Sequence, residues 1–188
     1  MIPKMRRLLI LLTVAALPVA ATAQSPSDGH VTTDSYLNPY FHFSYSWPKE
    51  LRPVNSASMN LHAPAGSTNE FFLFSAKSPD APFGVVVIAE KPNSHTPNPD
   101  GLNESQTFLE HVKQWWDPAG HPKILAETHA IKGEDLTFYE LDYVLFGEYS
   151  SAIATQMGDF QIVFKCNAES AAELSALTKS VLATYRTK

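Results

Sequence analysis

The chain has a single cysteine, Cys166, among its 188 residues. An intrachain disulfide is therefore impossible, which excludes the disulfide frameworks that stabilise many small exported domains. Stability has to come from a hydrophobic core. A chain of this length suits one domain, which buries roughly 70% of the surface of the extended chain.

Basic residues are few as well. The chain has 14 Lys and Arg against 19 Asp and Glu, which gives a formal net charge of −5. Nucleic-acid binding needs clusters of Lys and Arg that neutralise phosphates, and docking on anionic lipid needs a basic surface. The charge balance therefore predicts no nucleic-acid partner and no electrostatic attachment to a membrane.

The motifs of several enzyme classes are missing. The sequence contains no GxSxG nucleophile elbow, no phosphate-binding P-loop and no GxGxxG dinucleotide fingerprint. A catalytic zinc usually takes three protein ligands, but the seven histidines form no HxH or HxxxH pair and have no second cysteine to join them. They are His30, His42, His62, His95, His111, His121 and His129. We therefore predict no catalytic residue, no metal and no cofactor.

What the sequence does have, at its start, is the pattern of a cleavable secretory signal peptide over residues 1–23. Three basic residues precede the apolar run from Leu8 to Leu17, and Ala21-Thr22-Ala23 supplies the small residues that signal peptidase accepts. The apolar run is too short to span a bilayer core of about 30 Å. We expect cleavage after Ala23, which leaves a periplasmic or secreted protein. No cysteine lies at the cleavage point, so no membrane anchor is expected after cleavage.

The first half of the exported part is predicted to be rich in strands. Residues 24–35 are polar and are expected to form a flexible leader, followed by a single domain over 36–188. Aromatic and polar residues alternate in Tyr40–Trp47, which predicts a strand with one buried face. Glu70–Lys77 and Phe83–Glu90 have apolar residues at consecutive positions, which predicts strands covered on both faces.

The middle of the chain is predicted to contain a loop and a helix. A weaker strand covers Ser56–His62, and three prolines make Lys91–Leu102 a loop. Asn103 can cap a helix that ends at Asp117-Pro118, because proline disfavours helical geometry in the residue before it. The apolar face of this helix consists of Phe108, Leu109, Val112 and Trp116.

The last third is predicted to be an antiparallel meander and a helix. Short turns containing glycine join four strand-like segments: Ile124–Ile131, Leu136–Phe146, Glu148–Met157 and Phe160–Cys166. A terminal helix is predicted over Ala168–Tyr185, with Ser170 and Glu173 spaced as a capping box. Its apolar stripe consists of Leu174, Leu177, Val181, Leu182 and Tyr185. The element order predicts the α+β class, with helices packed on an antiparallel β-sheet.

This layout resembles the PsbP-like superfamily in three features. An aromatic strand runs into a proline at Phe41–Pro48, a mid-chain helix carries the Thr107–Val112 pattern, and a hairpin series leads to a terminal helix that ends in Leu177–Tyr185. The superfamily includes the photosystem II extrinsic protein, a nuclear Ran-binding relative and many exported bacterial proteins. The resemblance implies an α/β/α sandwich and an accessory role rather than catalysis, and it supplies no catalytic residue to carry over.

Two groups with reactive side chains have structural interpretations. Cys166 is in phase with Ile162 and Phe164, so its side chain should face the core beside the terminal helix and act as a small hydrophobe. Glu140 and Asp142 lie on one face of a predicted strand, as paired glycosidase carboxylates would, but that face is expected to be a solvated sheet surface.

Trp115 and the proline-rich loop form the candidate docking surface. Adjacent helical residues point in different directions, so Trp115 lies at the flank of the helix when Trp116 faces the core. The Trp115 side chain either packs over the sheet edge or forms a partly exposed anchor for a protein partner. The loop residues that would share this surface are His95, Pro97, Asn98 and Pro99.

The predicted function is that of a non-catalytic accessory or partner-binding protein. The alternative is a secreted small-ligand binder or hydrolase, because aromatic side chains with a few polar groups can form a pocket in a sheet. Such a cavity would be lined by Tyr139, Tyr143 and Trp116.

Overall fold

The computed structural model describes residues 25–54, 69–91, 104–115 and 122–186. Along these ranges the chain forms eleven strands and two helices. The elements are β1 His30–Val31, β2 Ser35–Asn38, β3 Phe43–Ser46, β4 Arg52–Pro53, β5 Glu70–Lys77, β6 Gly84–Glu90, α1 Glu104–Trp115, β7 Lys123–Lys132, β8 Thr137–Leu145, β9 Glu148–Met157, β10 Phe160–Ala168, α2 Ala171–Leu182 and β11 Tyr185–Arg186.

Seven strands form one antiparallel sheet in the order β4-β5-β6-β10-β9-β8-β7. Its second half is the predicted meander, in which each strand from β7 to β10 pairs with the next. β10 also pairs with β6, so it lies in the interior of the sheet. A smaller sheet has the order β1-β2-β3-β11.

The large sheet is covered on both faces, as the apolar runs of β5 and β6 predict. One face packs against α2 and the small sheet, where Phe74 and Val87 are buried in the larger core. The other face packs against α1, where Ile88 and Leu109 belong to a second core. The predicted α+β class is therefore confirmed. Neither α1 nor α2 has the length and apolar content that a membrane-spanning helix needs.

α2 begins with the predicted capping box. The Glu173 backbone N–H donates to Ser170 Oγ at 3.3 Å, and the Ser170 N–H donates to Glu173 Oε2 at 3.1 Å. Both predicted ends of this helix are wrong, because Ala168 is the last residue of β10 and the helix ends at Leu182. The Thr184 N–H donates to the Val181 carbonyl at 2.9 Å and tightens the last turn. Tyr185 then pairs with Ser44 as the start of β11.

The strand predicted over Tyr40–Trp47 is shorter than its aromatic alternation indicates. Pro39–His42 form the turn between β2 and β3, and the Phe41 N–H donates to Asn38 Oδ1 at 3.0 Å within it. His42 completes the turn with a φ of 53°. An aromatic residue in a turn can bury its ring as well as one in a strand, so period-two alternation alone misplaces this boundary.

Backbone pairing begins before the predicted domain start at Tyr36. His30 and Val31 pair with Leu37 and Tyr36, although both side chains are exposed. The side-chain amide of Asn38 also donates to the Pro26 backbone carbonyl at 2.9 Å. These contacts involve main-chain atoms, which explains why the polar composition of the segment does not indicate them.

Several predictions fall outside the described residues. These are the signal peptide over residues 1–23, the weak strand Ser56–His62, most of the loop Lys91–Leu102, the cap at Asn103 and the helix stop at Asp117-Pro118.

Candidate functional site

The predicted docking surface remains a prediction. His95, Pro97, Asn98 and Pro99 lie in the segment 92–103, outside the described ranges, and Trp115 is the last residue of α1. Five other places in the described part of the chain have features that could serve a function: a buried thiol, a buried carboxylate, two clefts at the sheet ends and an exposed hairpin tip.

The Cys166 thiol is buried, as predicted. The side chain has no exposed surface and belongs to the core between β10 and α2. Burial raises the pKa of the Cys166 thiol well above its usual range, and the carboxylates of Glu140 and Asp142 act in the same direction. The thiolate is the nucleophilic form of cysteine, so this residue is a packing group.

We expect Cys166 to resist a thiol reagent in the native protein and to react fully after denaturation. Cys166→Ser should lower the free energy of unfolding by about 1–3 kcal/mol, because it places a hydroxyl where an apolar atom lay. Labelling followed by intact mass, with urea unfolding of the variant, checks both. Rapid labelling of the native protein would contradict the burial.

Glu140 contradicts the prediction of a solvated face, because only 6% of it is exposed. Thr178 of α2 and Ser151 of β9 donate hydroxyl hydrogen bonds to its Oε1 at 2.9 and 3.0 Å. His129 Nε2 lies 3.7 Å from its Oε2 at the sheet edge. The carboxylate therefore links α2 to the sheet. α2 is distant in sequence, so the strand pattern of β8 could not indicate this cover.

Burial raises the pKa of Glu140, and the nearby charge of Asp142 adds to the shift, while the two hydroxyl hydrogen bonds oppose it. A carboxyl whose pKa is higher in the folded than in the unfolded protein contributes stability below its unfolded pKa. That contribution is lost as the pH rises through the folded pKa.

Glu140→Gln removes this titration, so its stability relative to the natural protein should increase as the pH rises above about 4. The amide oxygen can still accept from Thr178 and Ser151. Urea unfolding of both proteins over a pH series measures the difference. A difference that stays constant across the series would contradict the buried-carboxylate interpretation.

A polar cleft of about 220 Å³ opens at one end of β8 and β9, lined by Ser105, Asp135, Leu136, Thr137, Tyr139, Thr155 and Gln156. Behind it, Ser105 Oγ donates to Gln161 Oε1 at 2.6 Å. The Gln161 Nε2 is buried without a hydrogen-bond partner among the described residues.

The cavity predicted from Tyr139, Tyr143 and Trp116 is not found as one site among the described residues. Tyr139 lines the polar cleft, Tyr143 is in the core at 7% exposure and Trp116 lies outside the described ranges.

A larger cleft of about 460 Å³, here called the aromatic cleft, lies between the β2–β3 turn and the β9–β10 turn. It is lined by Tyr40, Phe41, His42, Met157, Gly158, Asp159 and Phe160. Both turns contain left-handed backbone, with φ values of 53° at His42 and 62° at Gly158. The Gly158-Asp159 turn is predicted from its sequence, but its meeting with the distant β2–β3 turn is not.

The β8–β9 turn exposes the aromatic ring of Phe146. Phe146 and Gly147 have φ values of 51° and 89°, the combination found in type I′ hairpin turns. Phe146 is 83% exposed, and Leu125 on the neighbouring strand β7 is 45% exposed. The sequence pattern predicts Phe146 as the last residue of the strand Leu136–Phe146. One feature of the sequence could have indicated the exposed turn position: an aromatic residue stands directly before the turn glycine, where Asn or Asp is preferred.

The sequence matches no protein-family model and no curated protein. Among solved structures, cyanobacterial PsbP (CyanoP) from Synechocystis sp. PCC 6803 matches with a TM-score of 0.55 at 12% identity, over 87% of this chain and 98% of that one. A protein from Bacteroides thetaiotaomicron VPI-5482 gives a TM-score of 0.38 at 9% identity, over 84% of this chain and 50% of that one, which is too low to support an argument. The first match concerns fold alone: the chain has the PsbP-like fold that the sequence resemblance implies.

Proposed function

We propose that this protein is an exported, non-catalytic accessory protein that binds a protein partner through the hairpin tip at Phe146. The PsbP-like fold is compatible with an accessory role. The exposure and backbone of Phe146 are the observation that supports partner binding.

Phe146 is unfavourable for the folded chain in two ways. A left-handed backbone costs roughly 1–2 kcal/mol for a residue with a side chain, and glycine or asparagine adopts it more easily. The ring is 83% exposed, so folding gains little from burying it. A Phe at this position therefore gains its apolar burial on association. Aromatic residues that fill a pocket of the partner dominate many protein interfaces.

The partner should present an apolar pocket. Leu125 is also exposed. It lies toward the same end of the sheet, since Lys123, two residues before it on β7, pairs with Val144 near the tip. The tip thus offers one protruding ring, and the neighbouring strand offers one exposed aliphatic side chain. The proposed interface is therefore small and centred on a single aromatic anchor.

Site-specific photo-cross-linking tests this function in the producing cells. A benzophenone-bearing phenylalanine in place of Phe146 should yield a discrete adduct with one protein. The same residue at Lys179, which is exposed on α2, is the control. An identical adduct from both positions, or none from position 146, would contradict the proposal.

The proposed export predicts a mature chain that begins at Gln24. N-terminal sequencing or the intact mass of the protein from the periplasm or medium measures the cleavage site. A mass lower by one ammonia also agrees with this site, because an N-terminal Gln can cyclise. A protein that retains Met1 in the cell would contradict the localisation.

The polar cleft favours a second candidate function, the binding of a small polar ligand. Its lining offers hydroxyl, carboxylate and amide groups beside the ring of Tyr139. A compound that raises the melting temperature of the natural protein, but not of Gln156→Ala, would support this function. Screening of small polar compounds against both proteins provides the test.

A further inference from the structure

We propose that the aromatic cleft binds an organic cation, an alkylammonium or a guanidinium group. This site is separate from the hairpin tip at Phe146. The tip lies at the start of β9 and the cleft at its end, and ten residues of strand separate them by about 30 Å.

The aromatic rings of the cleft meet close to right angles. Tyr40 and Phe160 have centroids 6.1 Å apart and an interplanar angle of 87°. Phe41 meets Phe160 at 5.3 Å and 76°. Because these ring planes are nearly perpendicular, their faces point in different directions, and Tyr40 and Phe160 keep part of their surface open to solvent. The face of an aromatic ring is electronegative and attracts a cation within about 6 Å of its centre.

The charge at the rim of the cleft has the matching sign. The Asp159 side chain is 78% exposed, and Lys91 Nζ lies 3.3 Å from its Oδ2. The same ammonium lies 6.0 Å from the centroid of the Phe160 ring. A cation of this chain thus already contacts both groups that the proposal assigns to the ligand. An anionic ligand would face Asp159 and a chain with a net charge of −5.

The Lys91–Asp159 pair can give way to a ligand. Half of the Lys91 side chain is exposed, and ion pairs in such exposed positions contribute little to stability. Lys91 therefore acts as a weak internal competitor for the cleft. Removing Lys91 should therefore tighten the binding of a cationic ligand more than removing another lysine does. General electrostatic attraction to the chain would not distinguish the two lysines.

An NMR titration of the ¹⁵N-labelled protein tests the proposal. Tetramethylammonium chloride should produce saturable shifts in the amide signals of His42, Gly158 and Asp159, and sodium chloride at the same concentration should not. N-acetyl-lysine methylamide and N-acetyl-arginine methylamide form the other two arms. If these two compounds bind more tightly, the natural cation is a side chain of a partner protein. If tetramethylammonium binds more tightly, the natural cation is a small ligand. No saturable shift with any of the three, or equal shifts with sodium, would overturn the proposal.

Three variants identify the groups involved. Lys91→Gln should tighten the binding of tetramethylammonium about two- to fivefold, and Asp159→Asn should weaken it by a similar factor. Lys123→Gln makes the same change in charge at the start of β7, which lies at the hairpin-tip end of the sheet and away from the cleft, and it should leave the affinity unchanged. Equal effects of the two lysine variants would overturn the proposal, because they would show attraction to net charge alone.

Discussion

Phe164→Ala is expected to lower the free energy of unfolding by about 3–5 kcal/mol. Phe164 has no exposed surface and lies on the interior strand β10. Its ring centroid is 5.4 Å from that of Tyr45 in the small sheet and 6.3 Å from that of Phe138 on β8. Removing the ring would leave a cavity where the two sheets meet, and the surrounding strands cannot close it without breaking their register.

Thermal unfolding measures this effect. A change of 3–5 kcal/mol corresponds to a fall of roughly 6–20 °C in the melting temperature of a domain of this size. Phe146→Ala is the matched control, since it deletes the same ring from an 83% exposed position and should leave the melting temperature nearly unchanged. Similar losses from the two variants would contradict the division between core and exposed phenylalanines.

Phe146→Asn is expected to weaken binding of the partner about thirtyfold or more while it stabilises the fold by about 1 kcal/mol. Asparagine adopts the left-handed backbone of the turn more readily than phenylalanine, and Asn-Gly is a preferred type I′ pair. Loss of an aromatic anchor typically costs 2 kcal/mol or more of binding free energy, about thirtyfold in affinity. Folding and binding should thus change in opposite directions at one residue.

Urea unfolding of Phe146→Asn, together with the amount of partner retained by the tagged variant, measures both quantities. Phe146→Trp keeps a large aromatic ring at the tip and should retain the partner. A destabilised Phe146→Asn would show that the ring supports the fold. Unchanged capture by a stable Phe146→Asn would show that the partner binds elsewhere.

Local sequence signals predicted most of the elements, because their causes lie within a few residues. Ser170 and Glu173 are three positions apart and cap α2 as expected. Gly158 supplies the left-handed backbone of the β9–β10 turn. The strands β5 and β9 have the predicted bounds, since their apolar patterns and flanking turns agree.

Features that depend on distant contacts were not predictable in this way. Glu140 is buried because Thr178 of α2 reaches it, which no pattern within β8 indicates. Tyr185 leaves its helix because Ser44 offers it a backbone partner. The aromatic cleft forms where two turns more than a hundred residues apart meet. A local residue pattern indicates the helix or strand in which it occurs. A site formed by several elements depends on how the chain brings those elements together.

The interior position of β10 has a consequence for when the chain can fold. In the described part of the sheet, β10 lies between β6 and β9 and pairs with both, so the half that contains β4 to β6 and the half that contains β7 to β9 become connected once β10 has been synthesised. Pairing between strands so far apart in sequence slows folding, because the loop has to close before the contacts form. If the protein is exported as proposed, slow pairing of β6 with β10 would favour a precursor that is still unfolded when it reaches a translocation channel.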